Sequence, residues 1–454
     1  MDLKQSHRAT PAVWFLSAAL VMEPLIRWAS LSTSSVISLR LLQIAISCFG
    51  IAIWMIQRDR KSMLARCMLS LAILCVGISC SERILTSLGW PRTAASGWKS
   101  DCPVSERNEL GFRGKNLLAS DDEYVVVLLG DSQVEAVACE MGSMPEQVLE
   151  AALRDRIGSA RVVSLGASGY GQDQQLLALK EYFRSGYRAD LVVLWQTLEN
   201  DVWNNTFPTH WPTNANPKPT FIWQEQTLTL HRHPSAFRSR ESSSSIGKLV
   251  RNLVPQRIDD AWEDRFLPAP YQPLADPSLP TRDKWQVKLD ARIAQGENLA
   301  NDKHHLSLYL TPSSQRVAYG IELTRQLYRC IAREAEEAGA AFALFNANRP
   351  TESLFEDEDD IYFRTEAGTY HFSKAQLDAN SNRLREGFDA YIVDVETNPF
   401  WVSERDTHLN PEAVKEVMGK LAQRLVASDA LSHRSSSAES PNHPIASQPR
   451  STQR

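Results

Sequence analysis

Two residues set far apart in this sequence are the best placed for covalent chemistry, a serine and a histidine. Ser132 follows the apolar run Tyr124 to Leu129 directly, in Gly130-Asp131-Ser132. A glycine permits a tight strand-to-helix turn. A serine at the start of the helix then exposes its hydroxyl while its backbone N–H points into the same space. The alternative for this tripeptide is a plain turn with an N-cap serine. His408 lies in Asp406-Thr407-His408-Leu409-Asn410-Pro411, where Asn410 is the expected N-cap and Pro411 the first position of the next helix. One loop thus presents acid and base together, and Asp406 can set the tautomer of the His408 ring. The other histidines considered, His210, His231, His233, His304, His305 and His371, mostly fall in a stretch without periodic pattern and are weaker candidates.

Two further segments offer hydrogen-bond donors. The loop Ser164 to Gln175 carries Gly166, Gly169 and Gly171. It lacks the lysine of a P-loop and the glycine spacing of a dinucleotide fingerprint, so its free N–H groups suit an oxyanion better than a nucleotide phosphate; the alternative is a glycine-rich turn with no chemical role. Asn200-Asp201 ends another apolar run, and the Asn200 amide could donate to a developing negative charge, although such a pair is also ordinary turn chemistry.

These residues need a scaffold that brings four loops to one rim. From Tyr124 onward, short apolar runs alternate with helical patterns, the signature of an α/β domain with a mainly parallel sheet. The predicted strands are Tyr124 to Leu129, Arg161 to Leu165, Leu191 to Trp195, Ala341 to Phe345 and Tyr391 to Val395. The predicted helices are Pro145 to Ile157, Gln174 to Phe183, Gln315 to Ala338 and Pro411 to Val426. In open α/β sheets, ligands gather outside the carboxyl ends of the strands, where all four segments fall. The stretch from Trp203 to about Tyr309 breaks the rhythm and reads as an insertion, with a weak hairpin signal over Thr220 to Leu230 and a flexible tip at Ser242 to Ser245. The acidic run Glu356 to Asp360 reads as a solvated loop, and residues 427–454 as a disordered tail too polar to bury a core.

Residues 1–83 differ from the rest, with apolar runs at Ala12 to Ile26, Leu41 to Ile56 and Cys67 to Cys80. Each run is a little shorter than the roughly 20 residues that a hydrocarbon core requires, and flanking residues can extend it. Glu23, Arg40 and Arg66 would then sit near helix ends. The expectation is a membrane anchor of two or three helices, followed by a linking segment over 84–123. Arg58, Arg60 and Lys61 mark the short loop after the second run as cytoplasmic. With three spans, everything beyond about Ser81 is then extracytoplasmic. In that oxidising setting Cys102 and Cys139 could form a disulfide, and two buried free thiols remain the alternative.

Among 454 residues, 49 Lys and Arg oppose 54 Asp and Glu, for a net charge of -5, which gives no basic field for nucleic acid. No metal-binding cysteine spacing and no nucleotide or flavin fingerprint is present, so no cofactor is expected. The four segments in this order resemble the SGNH, or GDSL-type, hydrolase family. The match is to Gly130-Asp131-Ser132, Gly169, Asn200-Asp201 and Asp406-Thr407-His408, over roughly 124–426 with the insertion at about 203–309 unmatched. This chain has Gln133 where the family name has leucine, and one residue between acid and base where many members have two. The upstream Asn108-Glu-Leu-Gly-Phe-Arg-Gly114 looks like the lead-in of membrane-anchored members and of relatives that acetylate polysaccharides.

The resemblance implies a three-layer sandwich with Ser132 as nucleophile, His408 as base, Asp406 as orienting acid, and an oxyanion hole of Ser132, Gly169 and Asn200. It also implies a small-molecule ester or acylated glycan as substrate, with no metal or cofactor. Transfer of the acyl group to an extracytoplasmic glycan, and a catalytically silent binding module, are the rival readings. Trp195, Trp203, Trp211 and Trp223 could stack on sugar rings, with packing as the competing explanation.

Overall fold

The computed structural model of this chain describes residues 33–58, 63–87, 102–209, 218–231, 265–293, 297–348, 358–403 and 406–428, with Phe15, Glu263, Phe355 and Leu431 besides. Two compact units divide the chain, Met1–Ser96 with Phe237–Gln256, and Gly97–Ala236 with Arg257–Arg454.

In the first unit, α1 (Thr33–Arg58) and α2 (Met63–Ser87) pack through Ala45, Cys48, Ala72 and Cys75. These small residues let the two backbones approach, while Leu64, Ile73 and Leu74 stay exposed. Among the described residues one helix, over Met63–Ser81, is long and apolar enough to cross a membrane, and the apolar stretch of α1, Leu41–Ile56, is shorter. Most of the first apolar run, the charged loop at Arg60 and Lys61, the tip at Ser242 to Ser245 and most of the tail lie outside the described residues.

The second unit is built on five strands: β1 (Tyr124–Gly130), β2 (Ala160–Gly166), β3 (Leu191–Trp195), β6 (Ala341–Asn348) and β9 (Ala390–Asp394). They form one sheet in the order β2-β1-β3-β6-β9, and every pairing is parallel. Burial on both faces explains why β1, β2, β3 and the middle of β6 read as apolar runs. Val126, Leu128, Val193 and Trp195 face one way, onto α4 (Pro145–Ile157) and α10 (Pro411–Ala427). Val127, Leu129, Val192 and Leu194 face the other way, onto α5 (Gln172–Arg184) and α8 (Gln315–Glu337). The result is three layers, with the short helices α3 (Ser132–Glu135) and α6 (Leu198–Thr206) at the carboxyl ends of β1 and β3. The strand order reverses between β1 and β3, which makes that edge the expected ligand site.

Several elements differ from the sequence reading. The insertion holds the anticipated hairpin as β4 (Thr220–Gln224) and β5 (Thr227–His231), and also a helix, α7 (Asp283–Ile293). A second hairpin, β7 (Asp360–Thr365) with β8 (Gly368–Ser373), and a helix, α9 (Lys374–Arg385), follow β6. Of the acidic run, Glu358 pairs with Arg282 and Lys284, and Asp360 opens β7 and hydrogen-bonds His371 at 2.7 Å. Glu356 and Asp357 lie outside the described residues. The acid and base do not sit on a loop: they lie on β11 (Asp406–Leu409), which pairs antiparallel with β10 (Trp401–Ser403). Cys102 and Cys139 are both buried free thiols.

Candidate active site

Tight packing dictates the turn that carries Ser132. A Cβ on Gly130 would come within 2.3 Å of Val134, and one on Gly166 within 2.6 Å, so both strand ends are glycine to admit the Val134 side chain. Asp131 caps α3 by accepting the Gln133 N–H at 2.9 Å, and Ala136 ends it in the left-handed region at φ 44°. Ser132 is thereby held half-buried in the first turn. A four-residue helix cannot sustain this geometry alone. Arg113, buried, donates to the carbonyls of Glu135 at 3.2 Å, Ala136 at 2.5 Å and Cys139 at 2.8 Å, and Glu106 pairs with it at 2.7 Å. A guanidinium at a helix C-terminus satisfies open carbonyls and complements the dipole. Asn108 anchors the same lead-in to the Ser164 carbonyl at 2.9 Å. The segment Asn108 to Gly114 is therefore a clamp on the serine turn.

The glycine loop is fastened to that turn as well. Buried Glu135 accepts from the Ser168 N–H at 2.6 Å and its hydroxyl at 2.5 Å, next to Gly169, which takes φ 72°. Neither the Ser132 nor the Gly169 N–H donates to a backbone carbonyl among the described residues. Asn200, on α6, directs its amide at Asp131, with Nδ2 donating to Oδ2 at 3.1 Å, and the Thr197 hydroxyl donates to Asp131 Oδ1 at 3.2 Å. Burial pushes the Asp131 carboxyl above the usual carboxylate range. The Gln133 N–H, Asn200, the His408 charge and Thr197 pull it back.

On β11, alternate residues share a face, so Asp406 and His408 lie side by side with one residue between them. Asp406 Oδ1 accepts from the His408 N–H at 3.1 Å and lies 2.5 Å from its Nδ1. A strand puts residues i and i+2 on one face, so this contact is made with one intervening residue. Both side chains are about a third exposed, at 32% and 37%. The strand is stitched to the serine turn: the Leu409 N–H donates to Gln133 Oε1 at 3.2 Å. Ser132 and His408 are thus carried on two elements joined by a direct hydrogen bond, although their own side chains are not bonded to each other here. Catalytic hydrogen bonds are often long before substrate arrives.

No family model matches the sequence, and no curated protein sequence matches it. Three solved structures to which the chain is similar are an esterase, a lipase and a second esterase. The psychrotrophic esterase EstA from Pseudoalteromonas sp., inhibited by monoethylphosphonate, is 9% identical over 66% of this chain and 96% of its own, with TM-score 0.28. The lipase Lip_vut3 from a goat rumen metagenome is 11% identical over 67% and 97%, with TM-score 0.31. The esterase AlinE4 is 13% identical over 68% and 98%, with TM-score 0.29. At these values the likeness adds nothing to the functional argument, which rests on the geometry.

Of the sequence candidates, Ser132, Asn200 and His408 are connected through Asp131 and Gln133, and Gly169 through Glu135. Of the supporting residues, Glu135 and Thr197 carry no motif signal of their own, Arg113 was visible only as part of the lead-in segment Asn108 to Gly114, and Gln133 only as a departure from a family pattern. Three of the weaker histidines are held by neighbouring side chains away from Ser132. His304 is fully buried beside Phe372, and burial lowers it to about 4, so it stays neutral. His371 stacks on Tyr362, and His305 is held by Glu297. His210 and His233 lie outside the described residues. Trp195 and Trp203 are buried in the core, Trp223 is half-buried against β5, and Trp211 lies outside the described residues, so packing accounts for the ones seen.

Proposed function

We propose that this chain is a serine hydrolase of the SGNH type that cleaves an ester through an acyl-serine intermediate. One observation carries the reading: a His–Asp pair hydrogen-bonded along one strand, which is itself bonded to the turn that presents a helix-start serine at the switch point of a parallel sheet. Ser132 Oγ attacks the carbonyl carbon while His408 Nε2 takes its proton, and Asp406 holds Nδ1 and stabilises the imidazolium. The tetrahedral oxyanion accepts from the N–H groups of Ser132 and Gly169 and from the second amide hydrogen of Asn200. Collapse expels the alcohol, which takes the proton from His408. Water then repeats the sequence on the acyl-serine and releases the acid.

The apolar helix over Met63–Ser81 supports a membrane anchor, with the catalytic unit on the extracytoplasmic side. A fluorophosphonate should label Ser132 in the folded full-length chain, and Ser132→Ala should abolish both labelling and turnover of p-nitrophenyl acetate. Wild-type turnover by Ser132→Ala would remove the assignment. Absent labelling of the folded wild type would favour a silent binding module.

A further inference from the structure

The two proposed oxyanion donors from outside the serine turn, the Gly169 N–H and the Asn200 amide, stand on segments that no strand pairing joins. The strands that lead into them, β2 and β3, lie on either side of β1. At their near ends both segments are fastened to the serine turn, by Ser168 on Glu135 and by Asn200 on Asp131. At their far ends Asn205 spans the gap. Fully buried in the last turn of α6, it accepts from the Asp173 N–H at 3.3 Å and donates through Nδ2 to Gln172 Oε1 at 2.6 Å and to Thr324 Oγ1 at 2.9 Å.

With its oxygen and both amide hydrogens engaged, the Asn205 side chain has one orientation. It locks the first turn of α5, which closes the glycine loop, to α6, which carries Asn200, and both to α8. Gly171 is shaped for this contact, since a Cβ there would lie 2.4 Å from Asn205 Oδ1. The same turn is held from a second side. Asp173, also fully buried, accepts from the Gln174 N–H at 2.8 Å through Oδ1 and from Lys218 Nζ through Oδ2. Lys218 is fully buried too, and its own N–H donates to the Pro208 carbonyl at 2.9 Å, just ahead of β4. A buried amine and carboxyl are tolerated together because each satisfies the other. Asn205 and Lys218 both belong to the stretch read as an insertion, so that stretch reaches the oxyanion loop rather than lying apart from it.

We propose that Asn205 is a positioning residue for the oxyanion hole, fixing where the Gly169 N–H stands relative to the Asn200 amide. The inference rests on the Ser132 reading. Donors aimed at a developing charge act only when placed in advance, so displacing them costs the transition state and not the bound ester. In the full chain with p-nitrophenyl acetate, Asn200→Ala should lower kcat about a hundredfold. Asn205→Ala should lower kcat about tenfold or more, with KM changed less than about twofold. It should weaken inhibition by phenylboronic acid, which forms a tetrahedral anion on the serine, in the same proportion. A residue that acts through Asn200 loses part of its effect once Asn200 is gone. The double variant should therefore fall short of the product of the two single losses by about threefold or more.

Thermal unfolding confirms that each variant folds. Should Asn205→Ala fail to fold, Thr324→Val carries the same cycle: it takes away one acceptor of the Asn205 amide and should lower kcat about threefold with KM unchanged. A wild-type kcat in the folded variant would overturn the proposal. So would losses that simply multiply with those of Asn200→Ala, or a kcat loss that leaves boronate affinity untouched, because Asn205 would then support only the fold. An Asn200→Ala variant of wild-type kcat would remove the hole itself and the proposal with it. The two readings fail separately. Turnover of p-nitrophenyl acetate by Ser132→Ala sinks the nucleophile, whereas Ser132-dependent turnover with independent Asn205 and Asn200 losses sinks only the positioning role.

Discussion

Gln133 and Asp406 hold His408 in different ways, and their loss should look different. Asp406 lies against Nδ1 and, in the proposed mechanism, fixes the tautomer and stabilises the cation formed when Ser132 gives up its proton. Asp406→Asn offers a neutral group in its place and should lower kcat by roughly a hundredfold to ten-thousandfold with little change in KM. Gln133 touches the strand rather than the ring, through the Leu409 N–H. Gln133→Leu leaves that buried donor unpaired, costs on the order of 1–3 kcal/mol of stability, and should lower kcat about tenfold by loosening the register of β11 against α3. Steady-state kinetics and thermal unfolding on both variants separate the roles. Equal kcat losses with unchanged stability in both would contradict the positioning role of Gln133. The role of Asp406 was legible in its spacing from His408, and that of Gln133 was not. Gln133 became intelligible only once β11 lay above it, because its partner is a backbone N–H 276 residues away.

At the scale of elements, the parallel sheet was legible because β1, β2, β3 and the middle of β6 are buried on both faces and read as apolar runs, and the half-buried edge strand β9 still carries Ala390 to Val393 without a break. Helix α9 was not, since its buried side chains include Asn380 and Ser381 alongside Leu384, which leaves no apolar period to find. The strand β11 was missed for a related reason: only four residues long, it exposes Thr407 and buries Leu409, too short for an alternation to register. The glycines flanking the serine turn had a visible location but a hidden reason, namely the space that Val134 needs. Gly130→Ala sets a Cβ 2.3 Å from Val134 Cγ2, so it should cost about 1–3 kcal/mol and displace Ser132 enough to remove most activity. The double variant Gly130→Ala with Val134→Ala relieves the clash. It should recover activity relative to Gly130→Ala, while independent losses from the two substitutions would show that Val134 is not the cause.

For the whole molecule, the lead-in that clamps the serine turn is itself held by a carboxyl group in an unusual state. Glu146 is fully buried on α4, and both its oxygens accept from the Lys115 N–H at 3.1 Å, immediately after the clamp. Burial pushes it up from 4.5 to about 7, against the opposing pull of the Lys115 N–H and charge. A carboxyl whose folded-state pKa is raised binds its proton more tightly when folded than when unfolded. Its contribution to stability is therefore complete below about 4.5 and is lost as pH rises through about 7, on the order of 3 kcal/mol across that window. Glu146→Gln removes the titration and keeps one acceptor for Lys115. The difference in unfolding temperature, wild type minus variant, should accordingly fall between pH 5 and pH 8 and level off above it, because every other titrating group cancels in the subtraction. A difference that stays flat, or that rises with pH, would mean that the carboxyl is already ionised in the folded protein. The clamp on Ser132 would then be anchored by a charge rather than by a proton.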